Sequence, residues 1–484
     1  MTLRQYYNDN INTLTLEKNK LLQRKSIFGI LRFGSIVAII AAFYFLNTLG
    51  IIYTLIAAVI LLAIFIQLIY RDLANKAAIE NLTHLIKINE AELKALDGNY
   101  YHFDGGAKLA PKEHHYANDM DIFGHASLYQ FINRTTSQIG TVQLATWLLQ
   151  PASISEITER QAAIKELSEK TKWRQQLQAY GKEKTIQLNT QTRLQQWIQE
   201  PTIFLQFKAW RWLRIVLPAI ILTITGFAIF DIVTMNIFYF ALFIYGIIAY
   251  QINKIVSPLH LQLSKIIDEL GTLSQSIQAI ESENFESPFL QNLKERIVDN
   301  NNPASKKIKH LKKILDRLDL RYNLVLSAPL NLLLLWNLQQ VLDLEKWKKQ
   351  YPNELNNWFT TLGIFEALNS FATIYFNNPS WVFPELREKH FFIETTNLGH
   401  PLINETKRVN NFLSIVQSAE IMLVTGSNMA GKSTYLRSVG INVILAMAGA
   451  PVCADKFALS PVQLISSMRI ADNLEESTST FYAE

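Results

Sequence analysis

At 484 residues the chain is longer than one hydrophobic core usually organises, so two to four domains are expected. Hydrophobic residues make up 49% and charged residues 18%, which is apolar-rich and charge-poor for an ordinary soluble protein and points to membrane segments. A net charge of +5 is too mild to imply nucleic acid or anionic lipid by itself, and the single cysteine, Cys453, excludes an internal disulfide and is read as a packing residue.

Residues 1–26 carry Leu14, Leu16, Leu21 and Leu22 among Glu17, Lys18, Lys20, Arg24 and Lys25, the pattern of a polar helix outside a bilayer rather than of a cleavable signal peptide. The composition then changes abruptly. Residues 33–49 and 51–70 hold no charge, and each approaches the roughly 20 residues that cross a bilayer as a helix. Asn47, Thr48 and Gly50 mark a turn, so 27–71 is expected to be a transmembrane hairpin. Arg24, Lys25 and Arg32 before it and Arg71 and Lys76 after it put both ends in the cytoplasm.

Residues 72–115 form a connector: a helix over 73–96, then a loop opened by Asp104-Gly-Gly106 and Pro111. His102, His114 and His115 lie near Asp119 and Asp121, but their spacing is not that of a zinc site, and a solvated loop is expected. From Ser127 the pattern is helical, with Leu128, Phe131, Ile132, Ile139, Leu144, Trp147 and Leu148 facing a core; Pro151 stops it and 154–167 begins another helix. A second uncharged pair, 215–230 and 237–250, is separated by Asp231, Thr234 and Asn236 and flanked by Lys208, Arg211, Arg214 and Lys254. It predicts another hairpin over 207–254 with cytoplasmic ends, with Trp210, Trp212, Tyr239 and Tyr250 suited to the membrane interface.

Helices are predicted over 259–284 and 305–321. In the second, Lys306, Lys309, Lys313 and Arg317 share one face while Ile308, Leu311, Ile314, Leu315 and Leu318 form the other. Those four cations are candidate contacts for DNA or lipid phosphates, against the alternative of a solvated charged face. No aromatic residues interleave them, so no single-strand stacking platform is indicated. The apolar run 324–338, interrupted by Asn331 and Asn337, is read as a buried core helix ahead of a re-entrant membrane segment.

The run 421–434 then gives an apolar stretch, a glycine-bounded loop and Lys-Ser. Gly426-x-x-x-x-Gly431-Lys432-Ser433 has Walker A spacing, with a short buried strand expected before it and a helix over 435–448 after it. In such a loop the backbone N–H groups face phosphates, Lys432 adds a charge, and the Ser433 hydroxyl serves Mg²⁺.

Around that loop, 425–435 reads TGSNMAGKSTY and resembles the MutS family's TGPNMGGKSTY, with Ser427 in place of Pro and Ala430 in place of Gly. Gly399-His-Pro-Leu402 is similar to the segment that opens the family's ATPase domain. Residues 472–481, DNLEESTSTF, followed by Glu484, are similar to its DDLxxGxSTFxxE signature, with Ser477 for Gly. Further back, Phe123-Gly, the segment 127–135, Gly140, Trp147-Leu148, Pro151 and Arg160-Gln161 resemble its core helices, and 363–372, with Leu368 and Ser370, the later ones.

The resemblance implies a multidomain fold: helical transmembrane hairpins, an all-α MutS-like core and lever domain (116–206 and 255–398), and an α/β P-loop NTPase domain (399–484), truncated. It implies ATP and Mg²⁺ as cofactors. Gly426, Ser427, Asn428, Met429, Ala430, Gly431, Lys432, Ser433 and Thr434 would bind nucleotide, Ser433 also Mg²⁺, and Ser479 a partner subunit's nucleotide, with a helix cap as that residue's alternative. His400 would be structural, and Phe412 a core residue ahead of one stacking on adenine. The implied protein is a membrane-anchored homodimer, joined through its ATPase domains, that clamps DNA in a mismatch-repair-related role, multi-pass in the inner (cytoplasmic) membrane with its soluble domains in the cytoplasm.

Two departures qualify this. No aromatic-x-Glu mismatch-reading module precedes the core, and no Walker B acids follow the loop, so the catalytic residues are unknown, hydrolysis by this chain is expected to be poor, and the chain is expected to be truncated. The competing readings are an NTP-gated membrane-associated interaction or organising module without DNA binding, and a nucleotide-binding remnant without turnover.

Overall fold

The computed structural model describes residues 2–46, 50–299, 302–388, 391–417, 419–427 and 430–468. The protein is mostly helical, with a small mixed sheet and four long apolar helices. The first two of these, α1 (Leu3–Leu46) and α2 (Ile51–Leu96), are each a single unbroken rod. At 1.5 Å per residue they reach about 66 and 69 Å. They run side by side: the Asn75 Nδ2 donates to the Leu21 carbonyl at 3.0 Å, and Arg32 meets Asp72 at 3.1 Å where the apolar halves begin. Beyond that pair Ile40, Phe43, Ile56, Ile60 and Leu62 face outward.

The expectation of a polar helix over 1–26 and another over 73–96, each separate from the hairpin, is corrected. Polarity changes along each rod and the backbone does not break, because no proline or turn sequence lies at 26–33 or 70–73 to stop helix propagation.

The polar ends dock on a helical body. Its first part comprises α3 (Leu128–Ile132), α4 (Gln138–Leu149), α5 (Ile154–Glu169), α6 (Thr171–Glu183) and α7 (Leu188–Gln199). The helix expected to run on from Ser127 is interrupted at 133–137. There the Asn133 side chain accepts the Thr135 N–H at 3.0 Å, and Ser137 caps α4 by accepting the Gly140 N–H at 3.0 Å, so local side-chain bonds outcompete the helix. By contrast α5 starts on a full capping box between Ser153 and Glu156.

The second apolar pair is α8 (Ala209–Ile229) and α9 (Met235–Leu263); α9 continues well past its apolar stretch. After a 3-10 turn come α10 (Ile267–Ser282) and α11 (Pro288–Glu295), so the helix expected over 259–284 is split at 264–266. A two-residue ladder, β1 (Val298–Asp299) with β2 (Asn302–Pro303), leads into α12 (Ala304–Asp319).

The run 324–338 is not one buried helix. It divides into α13 (Leu324–Leu334) and α14 (Trp336–Gln350) at Leu335, whose φ is +46°. Asn331, which interrupts the run in sequence, makes the break by accepting the Asn337 N–H at 3.1 Å. Residues 327–334 are half-buried or exposed and lie against α8 and α9; the Tyr245 hydroxyl donates to the Leu333 carbonyl at 3.3 Å. The central helix of the body is α15 (Leu355–Asn377), buried over most of its length against α4 and α5.

The sheet contains β3 (Glu385–Leu386), β4 (Ile393–Leu398), β5 (Asn411–Ile415) and β6 (Lys456–Leu459) in the order β3-β6-β4-β5. β3 pairs parallel with β6, and the other pairs are antiparallel. Beside it lies α16 (Lys432–Ala448), packed on α4 and α5. The strand expected immediately before the glycine loop is not formed: 421–427 has no ladder partner among the described residues. Ile421 and Leu423 are 96% and 83% exposed. An apolar, β-branched run becomes a strand only where neighbours take its N–H and C=O groups.

Candidate nucleotide-binding loop

The geometry of the loop follows from two glycines and a helix end. Gly431 caps α16 with φ +87°, a left-handed conformation that is strained for residues carrying a Cβ. It turns the chain so that Lys432, Ser433 and Thr434 form the first helical turn, with Ser433 and Thr434 exposed. At Gly426 a Cβ would make ordinary contact with the Ala430 side chain at 3.4 Å, so the two ends of the loop lie side by side. The Ala430 N–H donates to the Ser427 carbonyl at 3.2 Å, and the Lys432 Nζ donates back across the loop to the carbonyls of Gly426 (2.5 Å) and Ser427 (3.0 Å). N–H groups at a helix N-terminus with no partner among the described residues, two hydroxyls and an ammonium turned back onto the loop carbonyls therefore share one exposed corner. That is the donor set an anion such as a phosphate requires.

Behind this corner α16 is fixed rigidly. Residues 440–448 are buried, and the fully buried Asn442 ties the helix to two segments outside it. Its Nδ2 donates to the Gly399 carbonyl at 2.9 Å and its Oδ1 accepts the Cys453 N–H at 2.7 Å. Gly399 in turn donates to the Cys453 carbonyl at 2.8 Å. At the other end the Arg160 guanidinium reaches the Ala448 carbonyl at 3.1 Å, joining the helix to α5.

His400 is structural in this arrangement: its Nδ1 accepts the Leu402 N–H at 3.3 Å and its carbonyl the Ile403 N–H at 3.1 Å. Burial, reinforced by the Arg437 cation and only partly opposed by Asp121, lowers its pKa to about 4, so the ring is neutral at pH 7. Burial likewise pushes the Cys453 thiol up to about 11, an unreactive thiol in a packing role.

Of the predicted nucleotide-binding residues, Gly426, Ser427, Ala430, Gly431, Lys432, Ser433 and Thr434 come together at this corner; Asn428, Met429 and Ser479 lie outside the described residues, as does the segment 472–484. Phe412 is 77% exposed at the edge strand β5, so its expected place in a core is corrected. Tyr435 donates its hydroxyl to the Phe412 carbonyl at 3.1 Å, holding that edge beside the loop. His114 bonds to the Leu149 carbonyl at 3.2 Å, and Asp119 accepts Ser466 at 2.8 Å and the Met468 N–H at 3.0 Å. Sequence reasoning missed Asn442, although a lone amide in an apolar helix is the signal of a buried tie.

On α12, Lys306, Lys309, Lys313 and Arg317 are all exposed on one face, and Ile308, Leu311, Ile314, Leu315 and Leu318 are buried on the other. Lys307 turns inward to Glu354 at 2.8 Å and Lys312 pairs with Asp316 along the helix.

A left-handed glycine delivering Lys-Ser-Thr to the start of a buried, tied helix defines the class by its geometry: a glycine-turned helix N-terminus with exposed donors. Residues 422–484 match the model of MutS domain V. The DNA mismatch repair protein MutS of Geobacillus sp. (strain WCH70) is 30% identical over 148 residues, 29% of this chain and 17% of that protein. The mitochondrial DNA mismatch repair protein mutS homolog of Sarcophyton glaucum is 39% identical over 118 residues, 23% and 12% respectively. MutS of Streptococcus pyogenes serotype M49 is 33% identical over 140 residues, 28% and 16%. In its C-terminal part, the chain is similar to the MutS family. The matched stretch spans less than a fifth of each of these relatives.

Proposed function

We propose that the chain is a membrane-anchored, MutS-type ATP-binding protein that acts as a dimer on DNA, in a role related to mismatch repair. The observation that carries the nucleotide part is the turn at Gly431, which presents Lys432, Ser433 and Thr434 together at the N-terminus of α16. ATP fits this donor set. Its β- and γ-phosphates would lie against the loop N–H groups and Lys432, and the Ser433 hydroxyl would ligate Mg²⁺, which neutralises charge on the phosphates. The names of the relatives support the DNA role, and the exposed cationic face of α12 supplies a surface suited to phosphates. The membrane reading rests on α1, α2, α8 and α9, all long and apolar enough to cross a bilayer.

Lys432→Ala should weaken binding of a fluorescent ATP analogue by at least a hundredfold in the purified full chain. Unchanged affinity would end the nucleotide assignment. If the protein binds ATP but shows no salt-sensitive binding to duplex or branched DNA, the reading that remains is an NTP-gated membrane module that engages a protein.

A further inference from the structure

At the start of the second apolar pair, the first turns of α8 and one face of α14 line an open cavity of about 580 Å³. Arg211 and Arg214 line it from one side, Lys346 and Lys349 from the other, over a floor that includes Leu205 and Leu342. The wall is built, not incidental. The Glu345 carboxylate accepts the N–H groups of Ile203 (2.6 Å), Phe204 (3.1 Å) and Leu205 (2.7 Å), clamping the approach loop onto α14. Arg214 is held by Gln339 at 2.8 Å and Asp343 at 3.1 Å. Arg211, Lys346 and Lys349 have no ion-pair partner among the described residues. Three uncompensated cations thus converge on a partly apolar hollow.

What lies around the hollow identifies its occupant. Immediately beyond it α8 runs without a charge from Ile215 to its end, and Ile215, Val216 and Ile220 are exposed. Beside it Phe207 and Trp212 are 63% and 73% exposed, as aromatic residues at a membrane surface are. A DNA duplex would satisfy the cations but leave this apolar surface in water, whereas a lipid satisfies both. We propose that the cavity is a binding site for the headgroup of an anionic phospholipid, with the phosphate between Arg211, Lys346 and Lys349 and the acyl chains along α8. The site rests on the reading that α8 and α9 span a membrane. Sequence reasoning marked Arg211 and Arg214 as flanking charges only; Lys346 and Lys349 lie far along the chain and are brought in by α14.

The test uses the full chain in phosphatidylcholine nanodiscs with and without 10 mol% phosphatidylglycerol, and native mass spectrometry of lipid retained after detergent extraction. The proposal expects phosphatidylglycerol to be retained over phosphatidylcholine. Each cation near an anionic lipid surface contributes roughly fivefold in binding, so the triple variant R211Q/K346Q/K349Q should bind about a hundredfold more weakly. All three side chains are exposed, and an unchanged melting temperature would show that the variant folds. Equal retention by variant and wild type would overturn the site, and so would displacement of the lipid by millimolar inorganic phosphate or by duplex DNA. Alkaline carbonate extraction separates the two layers of the argument. Release of the wild type from vesicles would sink the membrane reading and the site with it, whereas a firmly inserted protein with unselective lipid retention would sink the site alone.

Discussion

Asn442 ties the helix behind the glycine loop to two segments outside it. Its amide joins α16 to Gly399, 43 residues back, and to Cys453, 11 residues on. Asn442→Leu keeps the branched shape, adds volume and removes both of these bonds, leaving a buried carbonyl and a buried N–H without partners. A loss of about 2–3 kcal/mol follows from such orphaned groups. It should appear as a lowered melting temperature together with weaker nucleotide binding, whereas Ser433→Ala should affect binding alone. The glycine motif was legible in the sequence because its spacing is local; Asn442 was not, because its partners are defined only by the fold. The run 421–424 shows the opposite error. Its residues have strand propensity, but propensity forms no ladder without neighbours.

At the scale of elements, the polar end of α2 is held to the body by a buried ion pair. Glu92 accepts from Arg134 at 2.5 and 3.1 Å, Asn377 of α15 donates to the same carboxylate at 2.9 Å, and the Tyr7 hydroxyl of α1 donates to Asn377 at 2.7 Å. The Arg134 N–H donates to Ser370, also on α15, at 3.1 Å. Glu92→Ala strands a buried guanidinium and should cost about 3–5 kcal/mol. Replacing Glu92 and Arg134 together by Gln and Met should cost less than Glu92→Ala alone, a non-additivity measurable by thermal unfolding. The helices themselves were largely legible from periodicity. The breaks at 133–137 and Leu335 were not, because they are made by Asn133, Ser137 and Asn331 side chains that hydrogen-bond to the backbone instead of extending a helix.

The contact between α16 and the 119–121 loop carries a pH signature. Arg437 donates to the Asp119 carbonyl at 3.0 Å and lies 3.8 Å from Asp121, with the half-buried His400 beside them. A histidine whose folded pKa is lowered binds its proton more readily when unfolded. Its contribution to stability is therefore complete above the ordinary value of about 6.5 and is lost as pH falls toward 4. Melting temperature should decline over that window in the wild type and decline less in His400→Asn. An identical decline in both would remove His400 as the cause.

At the scale of the whole molecule, the four exposed cations of α12 form a quantitative test of the DNA role. Each phosphate neutralised contributes about 0.9 to the slope of log affinity against log salt. Replacing Lys306, Lys309, Lys313 and Arg317 by Gln should therefore lower that slope by up to about 3.6 while leaving ATP binding intact. A slope that does not change would place any DNA contact elsewhere. The apolar hairpins were the most readable large feature of the sequence, since uncharged runs of such length are rare in soluble proteins. How they connect to the body was not, because a helix that changes character without changing conformation leaves no turn signal.

That continuity has a mechanical consequence. If α1 and α2 enter a bilayer, each rod has one tilt, shared by its apolar and polar halves, with no joint to decouple them. Membrane thickness adjusts the tilt of the apolar half. A change of about 5° displaces the far end of a polar arm about 36 Å long by about 3 Å. That end is where Tyr7 bonds to α15, so the rods would convert the thickness and composition of the surrounding lipid into a strain on the central helix of the body.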